Sequence, residues 1–123
     1  MNPRAQMVVE FMDANLHRKV SLDELARSVG ISPSHLWRLF KTEAGMPPGQ
    51  YLQKLRMQKA SRLLTTTPMS VKRISIEVGY SDKSLFGRHF RKAHGITPSE
   101  YRAKYHNLIA AKDYIASQDR RAG

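Results

Sequence analysis

The sequence contains no cysteine. This absence excludes disulfide bonds, thiolate zinc sites and cysteine nucleophiles, and it agrees with a reducing compartment. No apolar run approaches the roughly 20 residues that a membrane helix needs, and the opening segment carries Arg4, Glu10 and Asp13, unlike a secretory leader. We therefore expect a cytoplasmic protein with no membrane partner.

Acidic residues are scarce beside basic ones. Ten Asp and Glu stand against 21 Lys and Arg, which gives a formal net charge of +11 and a pI near 10.4. Such a charge favours a polyanionic partner, because binding releases that partner's counterions. Nucleic acid is the first candidate, although charge alone leaves an acidic membrane surface or a merely soluble protein open.

Patterns that carry catalysis or bind metals are also missing. The five histidines include no pair at i,i+4 spacing, and no cysteine or carboxylate completes a zinc set. There is no nucleophile with an evident base, no glycine-rich phosphate loop and no convincing carboxylate pair. We expect no enzyme activity, no metal, no cofactor and no small-molecule site.

Helix caps and glycine stops predict a helix-turn-helix in the first part of the chain. An amphipathic helix reaching about residue 15 comes first. Ser21 and Glu24 then form the pattern of a capping box, and Gly30 is a plausible stop for the short helix that they open. Ser32 caps a further helix, which Gly45 ends. A short capped helix, a tight glycine turn and a second helix make a helix-turn-helix.

The same signals return after a long helix. Pro48 opens this long helix, which reaches about Thr66, and Pro68 separates it from a new cap at Ser70. We predict an all-α fold of about seven helices. Its parts are a first helix-turn-helix lobe (1–46), a connecting helix (47–66), a second lobe (67–106) and a C-terminal tail (107–123).

The two lobes are a repeat with one inserted residue. Three pairs of identical residues lie 49 positions apart: Ser21/Ser70, Val29/Val78 and Gly30/Gly79. Six more pairs lie 50 apart: Ser34/Ser84, Arg38/Arg88, Phe40/Phe90, Gly45/Gly95, Pro48/Pro98 and Tyr51/Tyr101. The offset changes only at the turn, where Ser81 or Asp82 caps the next helix, so we infer a duplication.

The second helix of each lobe separates polar from apolar residues. At 3.6 residues per turn, one face of the first-lobe helix carries Ser34, Trp37, Arg38 and Lys41. The matching face in the second lobe carries Ser84, Gly87, Arg88 and Arg91. Arginine pairs with O6 and N7 of guanine in the major groove, serine donates or accepts a hydrogen bond, and glycine permits close backbone approach. We interpret these faces as DNA-reading surfaces.

Other basic residues and two helix starts are predicted to contact phosphates: Ser21, Lys41, Ser70, Arg91 and Lys92. Lys83 can reach either a base or a phosphate. Alternatives stay open at this point, because Arg38 and Arg88 also fit a solvated helix face with local ion pairs. Trp37 also fits the edge of the core, since a lone tryptophan is usually mostly buried.

Several stretches between about residues 9 and 105 resemble the DNA-binding domain of the AraC/XylS family of bacterial transcription regulators. They are residues 56–64 in the connecting helix, 74–82 (ISIEVGYSD), 86–92 (FGRHFRK) and 95–102 (GITPSEYR). The resemblance implies two lobes joined by one long helix, each placing its second helix in the major groove of double-stranded DNA. It implies base contacts at Ser34, Trp37, Arg38, Lys83, Ser84, Gly87 and Arg88. It also implies an activator that contacts RNA polymerase.

The two lobes are expected to read DNA unequally. Ser34, Ser84 and Gly87 have short or absent side chains where some family members carry larger ones, so we expect stronger sequence preference under the first lobe. The chain is either a small regulator of the MarA/SoxS type or a DNA-binding fragment of a longer regulator. A non-specific nucleic-acid or protein-interaction module is the alternative function.

Overall fold

The structure, a computed structural model, describes residues 1–106, and the predicted tail lies outside the described residues. Its helices are α1 (Pro3–Ala14), α2 (Leu22–Ser28), α3 (Pro33–Ala44), α4 (Pro48–Thr66), α5 (Val71–Glu77) and α6 (Lys83–His94). A seventh helix, α7, begins at residue 98 and continues to residue 106. No strand occurs in this part of the chain, and the predicted all-α fold with about seven helices is confirmed.

Side-chain caps begin the helices of both lobes. The Ser21 hydroxyl accepts a 3.1 Å hydrogen bond from the Glu24 backbone N–H at the start of α2. At the start of α6 the cap is Asp82 rather than Ser81, and its carboxylate accepts from the Ser84 N–H at 2.8 Å. Each bond pairs an N–H group that the first turn of a helix leaves without a backbone partner.

The inserted residue of the repeat is Ser81. In the first lobe the N–H of Ile31 closes the turn on the Ala26 carbonyl at 3.1 Å, and Tyr80 does the same to Ser75 at 2.9 Å in the second. These turn bonds lie 49 positions apart, whereas α3 and α6 begin 50 apart. The second lobe therefore has one extra residue between its turn and α6.

Two hydrophobic cores share α4. The first lies among α1, α2 and α3 and includes Leu52 of α4. The second begins five residues further along α4, at Met57, and contains Phe86 and Phe90 of α6, both fully buried. A fully buried phenylalanine stabilises the fold by roughly 1.5 to 3 kcal/mol. The helix that joins the lobes is thus a structural member of both.

An arginine of α7 closes the far end of α4. Arg102 Nε donates to the Leu64 carbonyl at 2.9 Å, and its Nη2 donates to the carbonyls of Met69 at 2.5 Å and Thr67 at 3.4 Å. The last carbonyls of a helix have no partner within the helix. Arg102 therefore pairs one of them, that of Leu64, and its bonds to Thr67 and Met69 fix the path that leads from α4 into α5.

Candidate nucleic-acid interface

The outer face of α3 is open to solvent. Ser34, Trp37 and Arg38 are all exposed and together line a shallow hollow of about 380 Å³. Trp37 keeps 45% of its surface exposed, whereas Leu36 and Phe40 on the opposite face are fully buried. The structure thus places Trp37 on the surface and not at the edge of the core. It brings the three first-lobe residues predicted to contact bases into one hollow.

Lys41 lies one turn beyond Trp37 and is also exposed. Its Nζ is 5.7 Å from the centre of the Trp37 ring, a distance at which an ammonium group is attracted to the ring face. The pair offers a flat apolar surface with a positive charge beside it. Such a combination suits the sugar and phosphate of a DNA strand.

The outer face of α6 repeats this placement with smaller residues and more charge. Ser84 and Arg88 are exposed, and a Cβ added at the half-buried Gly87 would meet nothing within 4 Å. The helix contains no acidic residue, and its cationic side chains are Lys83, Arg88, Arg91 and Lys92, all exposed. α3 has two such cations and one carboxylate, Glu43. α6 is therefore the more electropositive of the two helices.

The starts of the two short helices differ in charge. The first turn of α2 contains Asp23 and Glu24, whereas the first turn of α5 contains no acidic residue. Lys72 and Arg73 follow the Ser70 cap instead, and both are exposed. Arg73 also pairs with Glu77 at 3.0 Å, so the start of α5 is less basic than the two cations suggest. It still repels a phosphate less than the two carboxylates at the start of α2 do.

The carboxylate at the start of α2 is held ionised. Glu24 accepts hydrogen bonds from the Arg18 guanidinium, with one N–O distance of 3.2 Å and a second, shorter contact to Nη2. These bonds are the main reason that the pKa of Glu24 lies below its ordinary value. The phosphate contact predicted at Ser21 would therefore meet a negative charge, and it stays a prediction. The cations beside Ser70 were overlooked in the sequence, although their position next to a cap is visible there.

Residues 1–106 contain no cluster of three or more histidine, aspartate or glutamate side chains arranged to hold a metal ion. Over the same range, no helix combines the length and the apolar character needed to cross a membrane.

Comparison with known proteins decides the family. A family model described as a helix-turn-helix domain matches residues 25–104. The fold is similar to a transcriptional regulator of the AraC-type DNA-binding class from Chromobacterium violaceum, with a TM-score of 0.80 and 36% identity over 83% of this chain and 91% of that one. The chain belongs to the AraC family. The family resemblance in the sequence is confirmed.

Other relatives of this AraC-family chain are bacterial transcription regulators. It is 40% identical over 83% of its length to the lactose operon transcription activator of Staphylococcus xylosus, of which it spans 37%. It is 30% identical to the transcriptional activator AarP of Providencia stuartii, matching 89% of this chain and 83% of that protein. The relatives are DNA-binding regulators and not enzymes, as predicted. The chain spans about a third of the length of most curated relatives that it matches.

A solved complex links the same fold to DNA. The DNA-binding domain of AdpA, determined with a target DNA, has a TM-score of 0.79 and 30% identity over 88% of this chain and 96% of that one. DNA is therefore supported as the partner of this fold.

Proposed function

We propose that this AraC-family chain binds duplex DNA in a sequence-specific manner and activates transcription. In this proposal α3 and α6 enter successive major grooves of one asymmetric site, which a spacing of one helical turn would make roughly 20 base pairs long. The observation that carries the proposal is the equivalence of α3 and α6. They occupy the same position in each lobe, and each turns a polar, basic face to solvent while burying a phenylalanine on the other.

The first lobe is assigned most of the base reading. Arg38 has a guanidinium that can pair with guanine, and Ser34 and Trp37 border the same hollow. A Trp37 ring that keeps nearly half its surface exposed is available to contact a thymine methyl group or a sugar. Arg38 is accordingly the residue with the largest expected effect on sequence preference.

The second lobe is assigned most of the phosphate contacts. The cations of α6 and the absence of acid in that helix favour the DNA backbone, while Arg88 and Lys83 are its long side chains assigned to base contact. Ser84 and Gly87 let the α6 backbone approach the groove closely. The second lobe then contributes affinity and position, and the first contributes selectivity.

The names of two relatives support the activator part of the proposal. The relatives from Staphylococcus xylosus and Providencia stuartii are named activators. An activator of this kind works in the bacterial cytoplasm and contacts RNA polymerase at the promoter, as the resemblance implies. In vitro transcription from a promoter carrying the selected site tests this part, and an increase in transcript on adding the chain is expected.

The DNA part of the proposal is tested by selection from random duplexes, followed by footprinting. Competition between the selected site and bulk genomic DNA at physiological salt then separates the proposal from its alternative. We expect the selected site to be preferred by about a thousandfold or more. A ratio near one would mean that the basic surface binds nucleic acid without reading it.

A further inference from the structure

The two lobes meet directly beside α4, at the turn of the second helix-turn-helix. Gly79 in that turn has a φ of +91°, and a Cβ added there would overlap the carbonyl oxygen of Leu16 in the first lobe. The equivalent Gly30 has a φ of +69° and nothing within 4 Å of the same position. The two turns share one conformation, but only the second presses against the opposite lobe.

Arg56, in the middle of α4, completes this contact. Its Nη2 donates a 2.8 Å hydrogen bond to the carbonyl of Arg18, and its Cζ lies 3.1 Å from the position of a Cβ on Gly79. Its Nε is buried without a hydrogen-bond partner. A buried donor without a partner costs stability, and this cost offsets part of what the bond to Arg18 contributes. We call Arg56, Gly79 and the carbonyls of Leu16 and Arg18 the interlobe latch.

The first-lobe side of the latch is held in place. Arg18 Nε donates to the Asn15 side chain at 2.9 Å, and the same guanidinium pairs with Glu24. It also lies 5.9 Å from the centre of the Phe11 ring. These contacts tie the segment that presents the two carbonyls to both α1 and α2.

The second-lobe side of the latch is connected directly to α6. Gly79 precedes the start of α6 by four residues. The next residue, Tyr80, shares a 2.6 Å hydrogen bond between its hydroxyl and His89 Nδ1, and its ring packs edge-on against Phe86 at 5.5 Å. A displacement of the turn at Gly79 therefore displaces α6 with it.

We propose that the interlobe latch sets the separation and rotation of α6 relative to α3, and that Arg56 is a positioning residue for the half-site spacing that the chain accepts. The inference rests on the proposed function, in which both helices read one duplex. α4 passes from one core to the other between Leu52 and Met57, so repacking there can rotate the lobes about α4. One added base pair moves a half-site by about 3.4 Å and rotates it by about 35°.

The first test varies the DNA. Affinity is measured for the wild-type chain, Arg56→Met and Arg56→Lys on duplexes whose two half-sites are separated by one base pair more or fewer than in the selected site. The wild type should lose about tenfold in affinity on either change. Arg56→Met should reduce this preference by about fivefold or more. The spacing preference of Arg56→Lys should lie between those of the wild type and Arg56→Met. A lysine ammonium can donate to a carbonyl, but it has no planar group to pack against Gly79.

Arg62→Met is the matched control, since Arg62 is exposed on the same helix. It should keep the wild-type spacing preference, even if overall affinity changes. A loss of affinity in Arg56→Met that is equal at every spacing would overturn the proposal. So would a failure of both Arg56 variants to fold, because Arg56 would then serve stability and not spacing.

The second test needs no DNA. Because the chain has no cysteine, spin labels can be attached uniquely at Thr42→Cys on α3 and Ala93→Cys on α6, both exposed positions. The distance distribution should be narrow in the wild type and broader in Arg56→Met, and an unchanged distribution would overturn the latch. Absence of site preference in the wild type would instead contradict the proposed function. The label distances would still test whether the latch fixes α6 relative to α3.

Discussion

Lys41 lies beside Trp37 on the outer face of α3, with its ammonium nitrogen 5.7 Å from the ring centre. The ring lies outside the core cluster, and 45% of its surface is exposed. Trp37→Ala should therefore lower the free energy of unfolding by only about 1 to 2 kcal/mol. It should weaken binding to the selected DNA by about 1 to 3 kcal/mol. Urea unfolding and titration of labelled duplex measure the two quantities.

Phe40→Ala is the matched control for Trp37→Ala, since Phe40 is on the same helix and fully buried. It should cost about 3 to 5 kcal/mol of stability. If Trp37→Ala destabilises the fold to a similar degree and leaves DNA binding unchanged, Trp37 is a core residue and its assignment to the interface is wrong.

The glycines at the two turns should differ in their tolerance of a side chain. Gly30→Ala places a Cβ in open space and carries only the cost of a positive φ, about 1 to 2 kcal/mol. Gly79→Ala has the same conformational cost and also drives a Cβ into the Leu16 carbonyl, which adds roughly 1 to 3 kcal/mol. Urea denaturation of both variants checks the difference, and equal costs would show that the lobes do not press together there.

Gly87 should separate fold stability from DNA binding. Gly87→Ala adds a methyl group in open space within a helix, so it should raise the free energy of unfolding by about 0.5 to 1 kcal/mol. Gly87→Leu should also fold, but its side chain would hold α6 away from the groove and weaken binding to the selected site by about tenfold or more. Gly49→Leu, at an equally open position on α4, is the control. Unimpaired binding by Gly87→Leu would show that α6 does not enter the groove.

The carboxylate of Glu24 should titrate below its ordinary range. Hydrogen bonds from Arg18 are the main cause of its lowered pKa. A folded-state pKa below the unfolded one means that the pair stabilises the fold above the unfolded pKa. That contribution is lost as the pH falls through the folded pKa. NMR titration of the side-chain carbons checks the direction.

Arg18→Gln should raise the Glu24 pKa towards its ordinary value. Glu100 is the internal control, because its pKa is lowered mainly by the hydroxyl of Thr97 and then by the Thr97 N–H. It should not respond to the change at Arg18. A Glu24 titration that Arg18→Gln leaves unmoved would show that the ion pair does not persist in solution.

The helix ends were predictable because their signals are local. Proline in the first turn and glycine after the last predicted α3 from 33 to 44, and Pro48 with the apolar spacing predicted α4 to Thr66, as observed. The choice of Asp82 over Ser81 as cap was not predictable, since both side chains can accept the bond and the inserted residue shifts the register. Local signals therefore set the bounds of the helices, while the turn before α6 depends on tertiary context.

The placement of long-range partners was beyond the sequence. Exposure of Trp37 depends on how α2 and α3 pack, which periodicity does not describe. The latch joins the backbone of Leu16 and Arg18 to Gly79 through Arg56. Every residue has a backbone carbonyl, so the sequence does not indicate which carbonyls accept these contacts. The exposed positions on α3 and α6 followed from helical spacing, while their contacts with DNA remain predictions.

In the proposed function, Arg38 reads a base. The most direct measurement is the affinity of wild type and Arg38→Ala for the selected site and for sites changed at one base at a time, at fixed salt. The wild type should discriminate by about 1 to 3 kcal/mol at the base under Arg38, and Arg38→Ala should lose that discrimination at this position alone. Arg62→Ala, which removes an exposed cation from α4, should leave the pattern intact. Equal weakening of Arg38→Ala on every sequence, genomic DNA included, would contradict base reading by α3.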